Sequence, residues 1–171
     1  MIDLNKLAAE IHDAAVKKGF WDVEHAEDKH LAKMISELGE VVQADRAGVM
    51  YEIEHEGAKP EGVVAELADF IMMAIDMYAH YECDFDQIAD MIADREGLKE
   101  LMSETPVYML ALAMCADTMT FARDEGDDKL ARAMHTAIMW IEVQGFDPEE
   151  VIREKMEYNA SGRGYLHGRL Y

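Results

Sequence analysis

Apolar residues recur at three- and four-residue spacing along nearly the whole chain, as expected of helices that each turn one face inward. The pattern predicts helices over about 3–18, 25–47, 61–81, 85–101, 106–125, 127–144 and 148–159. The breaks between them carry the right residues. Gly19, Gly48, Gly126 and Gly145 stand where helices end in a left-handed turn. Pro60, Pro106 and Pro148 stand at or near first-turn positions. Asp147, ahead of Pro148-Glu149-Glu150, reads as an N-cap with acids in the first turn. No alternating segment competes as a strand. From Ala160 onward, Gly162, Gly164 and Gly168 predict an irregular tail. The expected fold is all-α, and 171 residues suit one domain with its own core.

Two acid pairs stand out against that pattern. The second helix holds Glu37-Leu38-Gly39-Glu40 and the third holds Glu66-Leu67-Ala68-Asp69. Residues three apart lie about 60° apart around a helix and about 4.5 Å along it, so each pair aims two carboxylates at one region. The short connection between these helices favours antiparallel neighbours, which brings all four together. On the third helix the apolar stripe runs through Val63, Leu67, Phe70, Ala74 and Met77. Glu66 projects inside it, and Asp69 lies at its edge in line with Asp76 and His80. On the second helix Glu37 borders the stripe beside Val41, and Glu40 lies farther round. A solvated acid suits Glu40 but not Glu66, because an unpaired buried carboxylate costs several kcal/mol. A buried salt bridge is the other plain reading. The bases on these two helices, Lys33 and Arg46 among them, are too few for four acids plus Asp76. A divalent cation can balance them. Oxygen-only ligation points to Mg²⁺, or Mn²⁺, and such sites bind substrate phosphates.

Charge limits the partners. The chain carries 36 acids against 16 bases, a formal −20. Nucleic-acid and membrane-surface binders present basic patches, so neither is an expected partner. Residues 151–171 are the exception: Arg153, Lys155, Arg163 and Arg169 against Glu154 and Glu157 leave that segment net positive. Such a tail on an acidic body is a natural place to receive an anion. Cys83 and Cys115 make neither a disulfide framework nor a zinc site. Together with the absence of a signal pattern and of a membrane-length apolar run, they point to a cytoplasmic protein.

The order ExxE, spacer, ExxD resembles the all-α nucleoside triphosphate pyrophosphohydrolases of the MazG-like superfamily. Here 25 residues separate Glu40 from Glu66. The segment PEGVVAELADFIMMAID looks like that family's second motif region, and EKMEYNASGRGYLHGRLY looks like its closing segment. The resemblance covers residues 3–81 and 146–171 well and 86–145 poorly. It implies a four-helix-bundle-type fold with extra helices from the second half. It implies Mg²⁺-dependent hydrolysis of a (deoxy)nucleoside triphosphate to the monophosphate and pyrophosphate. By the same resemblance Glu37, Glu40, Glu66 and Asp69 become the metal ligands. Glu37 or Glu40 would also orient or deprotonate the attacking water. Lys155 and Asn159 match residues that meet phosphates and sugar, with Arg163 and His167 as further phosphate contacts. His12 and Trp21 resemble the base-contacting residues of the dCTP-pyrophosphatase branch, although a lone tryptophan beside Phe20 also reads as packing. Family members associate, so a homodimer is expected.

Other readings remain open at this level. A di-iron bundle needs two ExxH motifs, and only Glu52-x-x-His55 is present. His12-Asp13 alone does not make an HD-type phosphohydrolase. A non-catalytic helical interaction module would need the acids scattered, which Glu66 argues against. The second half carries an echo of the first at an offset of 63: Leu67-Ala68 and Ala74-Ile75 recur as Leu130-Ala131 and Ala137-Ile138. Lys129 and Arg132 stand where Glu66 and Asp69 stood. Residues 86–145 are therefore either a degenerate repeat or a helical insertion.

Overall fold

The computed structural model describes residues 4–83, 85, 95–123 and 128–161. Seven helices make up the described structure: α1 (Leu4–Lys17), α2 (Ala26–Ala47), α3 (Val63–His80), α4 (Arg95–Glu104), α5 (Val107–Phe121), α6 (Asp128–Val143) and α7 (Pro148–Ala160). The fold is all-α, as the periodicity predicts. No described helix is long and apolar enough to cross a membrane.

The helix ends follow the local chemistry. Asp147 caps α7, its carboxylate accepting from the backbone N–H of Glu149 and Glu150. Gly48 closes α2 with φ 74°, in the left-handed region. The expected irregular tail from Ala160 starts too early, since α7 runs through Ala160; Gly126 and residues 162–171 lie outside the described residues. The predicted helix at 85–101 is described only in part, and its later portion continues to Glu104.

The segment between α2 and α3 is more ordered than its composition suggests. Glu52 and Glu61 exchange two backbone hydrogen bonds of 3.0 Å, a single antiparallel bridge. The N-terminus of α3 has no side-chain cap. Its first N–H groups donate to this segment instead, Val63 to the Val49 carbonyl and Val64 to that of Met50. That close approach requires glycine at position 62: φ is 104°, and a Cβ there would sit 2.7 Å from the Met50 carbonyl oxygen. The result fixes where Lys59 and Glu66 stand relative to each other.

Two hairpins form the centre. α2 packs on α3 and α5 on α6; α2 also packs on α5 and α3 on α6, which closes a four-helix arrangement. The first hairpin is antiparallel, since His30 meets Asp76 and Glu27 approaches His80. α1 and α7 cover α3 from outside this ring, and α4 lies on α6. α3 is therefore surrounded, and fourteen of its eighteen residues are buried. The expected single stripe was too narrow: Val64, Ala65, Ile71 and Ile75 are buried as well. Two of its acids, Glu66 and Asp76, are buried with it.

Candidate functional site

The antiparallel α2–α3 hairpin sets Glu37 and Glu40 opposite Glu66. Carboxylate oxygens of these three residues all lie within 4.8 Å of one another. Glu37 and Glu66 are buried, whereas the Glu40 side chain is 40% exposed. Asp69, one turn on from Glu66, is half-buried. Its Oδ2 is taken by Lys155 Nζ at 2.6 Å, and Lys155 also donates to the Pro60 carbonyl at 3.3 Å.

The cations on these acids come mostly from outside the two helices. Lys33 of α2 pairs with Glu37, and its Nζ lies 3.8 Å from Glu40 Oε1. Lys59, from the bridged segment, lies 3.6 Å from Glu66 Oε1. Lys155 arrives from α7. The two helices themselves supply only Lys33, as expected; with Lys59 and Lys155 from outside them, three lysines reach four carboxylates. The balance is still incomplete. Glu66 Oε2 is buried with no hydrogen-bond partner.

Charge crowding shows in the proton affinities. Burial and the nearby Asp69 carboxylate push Glu37 up to about 7, against the opposing pull of Lys33. Burial works against the charged form of Lys33 and of Lys59. The surrounding carboxylates outweigh it, and both ammonium groups are held above the usual lysine range.

These groups open onto a cavity of about 440 Å³. Its polar wall includes the four acids with Lys18, Lys29, Lys33, Lys59 and Asn159. Its apolar wall is made by Ile11, Ala14, Phe20, Met72, Met73 and Met156. A pocket with both kinds of wall admits a ligand that is charged in one part and flat or greasy in another.

A second polar cluster adjoins the first. Asp76, buried on α3, accepts from His12 Nδ1 at 2.6 Å and from His30 Nε2 at 2.8 Å. Trp21 Nε1 lies 3.2 Å from both of its oxygens. The Trp21 ring stacks on His80 at 3.7 Å between centroids and on His30 at 4.3 Å. His30 and Asp76 reach the cavity wall.

The predicted site residues are therefore placed as follows. Glu37, Glu40, Glu66 and Asp69 share one cavity, together with Asn159. Lys155 neutralises Asp69 from below the surface. His12 and Trp21 converge on Asp76, and the aromatic rings on the cavity wall are Phe20 and His30. Arg163 and His167 lie outside the described residues. Lys18, His30 and Lys59 were missed as site residues. His30 carries a retrospective signal, three residues before Lys33 and seven before Glu37 on the same face of α2. No protein-family model, curated protein or solved structure matches this chain.

Proposed function

We propose that the protein is a metal-dependent nucleoside triphosphate pyrophosphohydrolase of the MazG-like kind, cleaving a (deoxy)nucleoside triphosphate to its monophosphate and pyrophosphate. The observation that carries this reading is Glu66 Oε2, buried without a hydrogen bond among three converging glutamates on the wall of a cavity. An oxygen left so costs stability unless something binds it. The donor set is all carboxylate, which fits Mg²⁺ or Mn²⁺. Glu37, Glu40 and Glu66 would hold the ion, with Asp69 beside them. When bound, magnesium would screen the phosphates and make the attacking water more acidic.

The chain's own residues account for the rest. Glu37, buried beside Glu66 and Glu40 on the cavity wall, is suited to take the proton of the attacking water as the α–β phosphoanhydride bond breaks. Glu40, partly exposed, is placed to orient that water. The lysines on the polar wall would meet the phosphates, and the apolar wall would shield the base and sugar. The reaction requires no partner beyond the nucleotide. Association into a homodimer belongs to the same proposal, and light scattering tests it.

Three lysines on four acids also favour a second reading, a buried ion-pair network without catalysis. One assay separates the two. A panel of ribo- and deoxynucleoside triphosphates is incubated with the protein and Mg²⁺. Pyrophosphate and a monophosphate should appear from at least one of them, and EDTA should stop their release. Orthophosphate as the sole product, or no product from any nucleotide, would sink the proposal.

A further inference from the structure

A chain with a net charge of −20 must gather its positive charge deliberately if it is to hold a polyphosphate. The sequence suggests the C-terminal tail as the place. Among the described residues the cavity wall offers a second place, where Lys18, Lys29, Lys33 and Lys59 stand together. Two of these are bound to the acid cluster itself, Lys33 on Glu37 and Glu40, and Lys59 on Glu66.

We infer that Lys33 and Lys59 are phosphate ligands held in reserve on the carboxylates, freed to bind a polyphosphate when a divalent cation takes their place. The inference rests on the metal-site reading above. Both lysines contact Oε1 atoms of the glutamates that would ligate the ion, Lys33 those of Glu37 and Glu40 and Lys59 that of Glu66. A divalent cation held by these carboxylates, even through the free Glu66 Oε2, would stand beside both ammonium groups, and the repulsion between the cations drives the lysines off. Lys33 and Lys59 are free to do so. Their side chains are 38% and 41% exposed, on flexible stems that already line the cavity. Lys155 is different: 2% exposed and tied to both Asp69 and the Pro60 carbonyl, it stays as a fixed counter-charge. Metal and polyphosphate would then bind in order. Without metal the lysines are committed to the acids and the cavity repels anions. With metal the acids are satisfied and the lysines are available, which is positive coupling between the two ligands.

Calorimetric titration of the full chain with Mg²⁺, and then with inorganic pyrophosphate at saturating Mg²⁺, tests this. Lys33→Gln and Lys59→Gln should each weaken pyrophosphate binding about tenfold. Each should also bind Mg²⁺ alone at least as tightly as the wild type, because a competing cation has gone. Lys59→Arg should keep pyrophosphate affinity within a few fold. Lys99→Gln, which removes a lysine paired with Glu142 on other helices, should change neither affinity. Unchanged pyrophosphate affinity in either folded glutamine variant would overturn the inference, as would weaker Mg²⁺ binding in either. If one variant fails to fold by circular dichroism, the other decides alone, because each lysine is claimed to bind phosphate separately. Failure of the wild type to take up Mg²⁺ at all would overturn the metal reading and this inference with it. That result differs from Mg²⁺ uptake with pyrophosphate affinity unmoved, which overturns the inference only.

Discussion

Glu66 enters the first turn of α3 with one oxygen 3.6 Å from Lys59 and the other unpartnered. The helix N-terminus favours a negative charge there, but the neighbouring Glu37 and Glu40 oppose it. Glu66→Gln relieves that repulsion while keeping the shape. Its metal-free form should melt several degrees above the wild type, and Mg²⁺ should no longer raise its melting temperature. Turnover should be lost. A variant that retained wild-type turnover would remove Glu66 from the site. Glu37 gives a pH dependence with a definite sign. Its folded-state carboxyl binds a proton near pH 7, well above the ordinary 4.5 expected of it in the unfolded chain. Stability of the metal-free protein from this residue therefore rises as pH falls through 7 and is complete near 4.5. Above pH 7 the charged form costs stability. Melting curves at pH 5.5 and 8 should show a larger difference for the wild type than for Glu37→Gln. Equal differences would contradict the assignment. The glutamates themselves were legible because i, i+3 spacing fixes which side chains share a helix face. Asp76 as the acceptor for His12, Trp21 and His30 was not legible, since those donors come from two other helices and a turn.

At the scale of elements, the segment from Val49 to Gly62 is the part that positions α3. Gly62→Ala adds a Cβ into contact with the Met50 carbonyl and forces a left-handed backbone on a residue that resists it. The expected loss is about 1–3 kcal/mol, read as a lower denaturation midpoint. Because Lys59 and Glu66 flank this turn, Mg²⁺ affinity should fall with it. A midpoint equal to that of the wild type would show that the turn is not as tight as described. Helix boundaries could be read to within four residues where they are described, because caps are local: a glycine, a proline or the Asp147 carboxylate acts on its own turn. The Glu52–Glu61 bridge was not legible, as a single pair of residues leaves no alternating pattern. The complete enclosure of α3 was also underestimated. Its lack of bases after Lys59 was the available signal, since a helix wetted on one side normally carries them.

Across the whole molecule, the second hairpin closes the first within one chain. The echo positions bear on what that second hairpin can do. Arg132, aligned with Asp69, donates to Asp117 of α5 at 2.8 Å, and Lys129, aligned with Glu66, pairs with Asp128. At these echo positions of the sequence α6 carries bases where α3 carries acids, and the one group of three converging acids among the described residues is on α2–α3. Arg132→Ala should leave Mg²⁺ affinity unchanged and cost no more than about 1 kcal/mol, since the guanidinium is largely exposed. A loss of metal binding in that variant would contradict the placement of the site on α2–α3.

The claim on which the account turns is that the carboxylates of α2 and α3 hold a divalent cation. Anomalous diffraction from crystals of the protein grown with Mn²⁺ tests it most directly. The account predicts a peak within bonding distance of Glu37, Glu40 and Glu66, with the Lys33 and Lys59 ammonium groups withdrawn from those oxygens. Crystals grown in Mn²⁺ with no peak there, and with both lysines still seated on the glutamates, would contradict it.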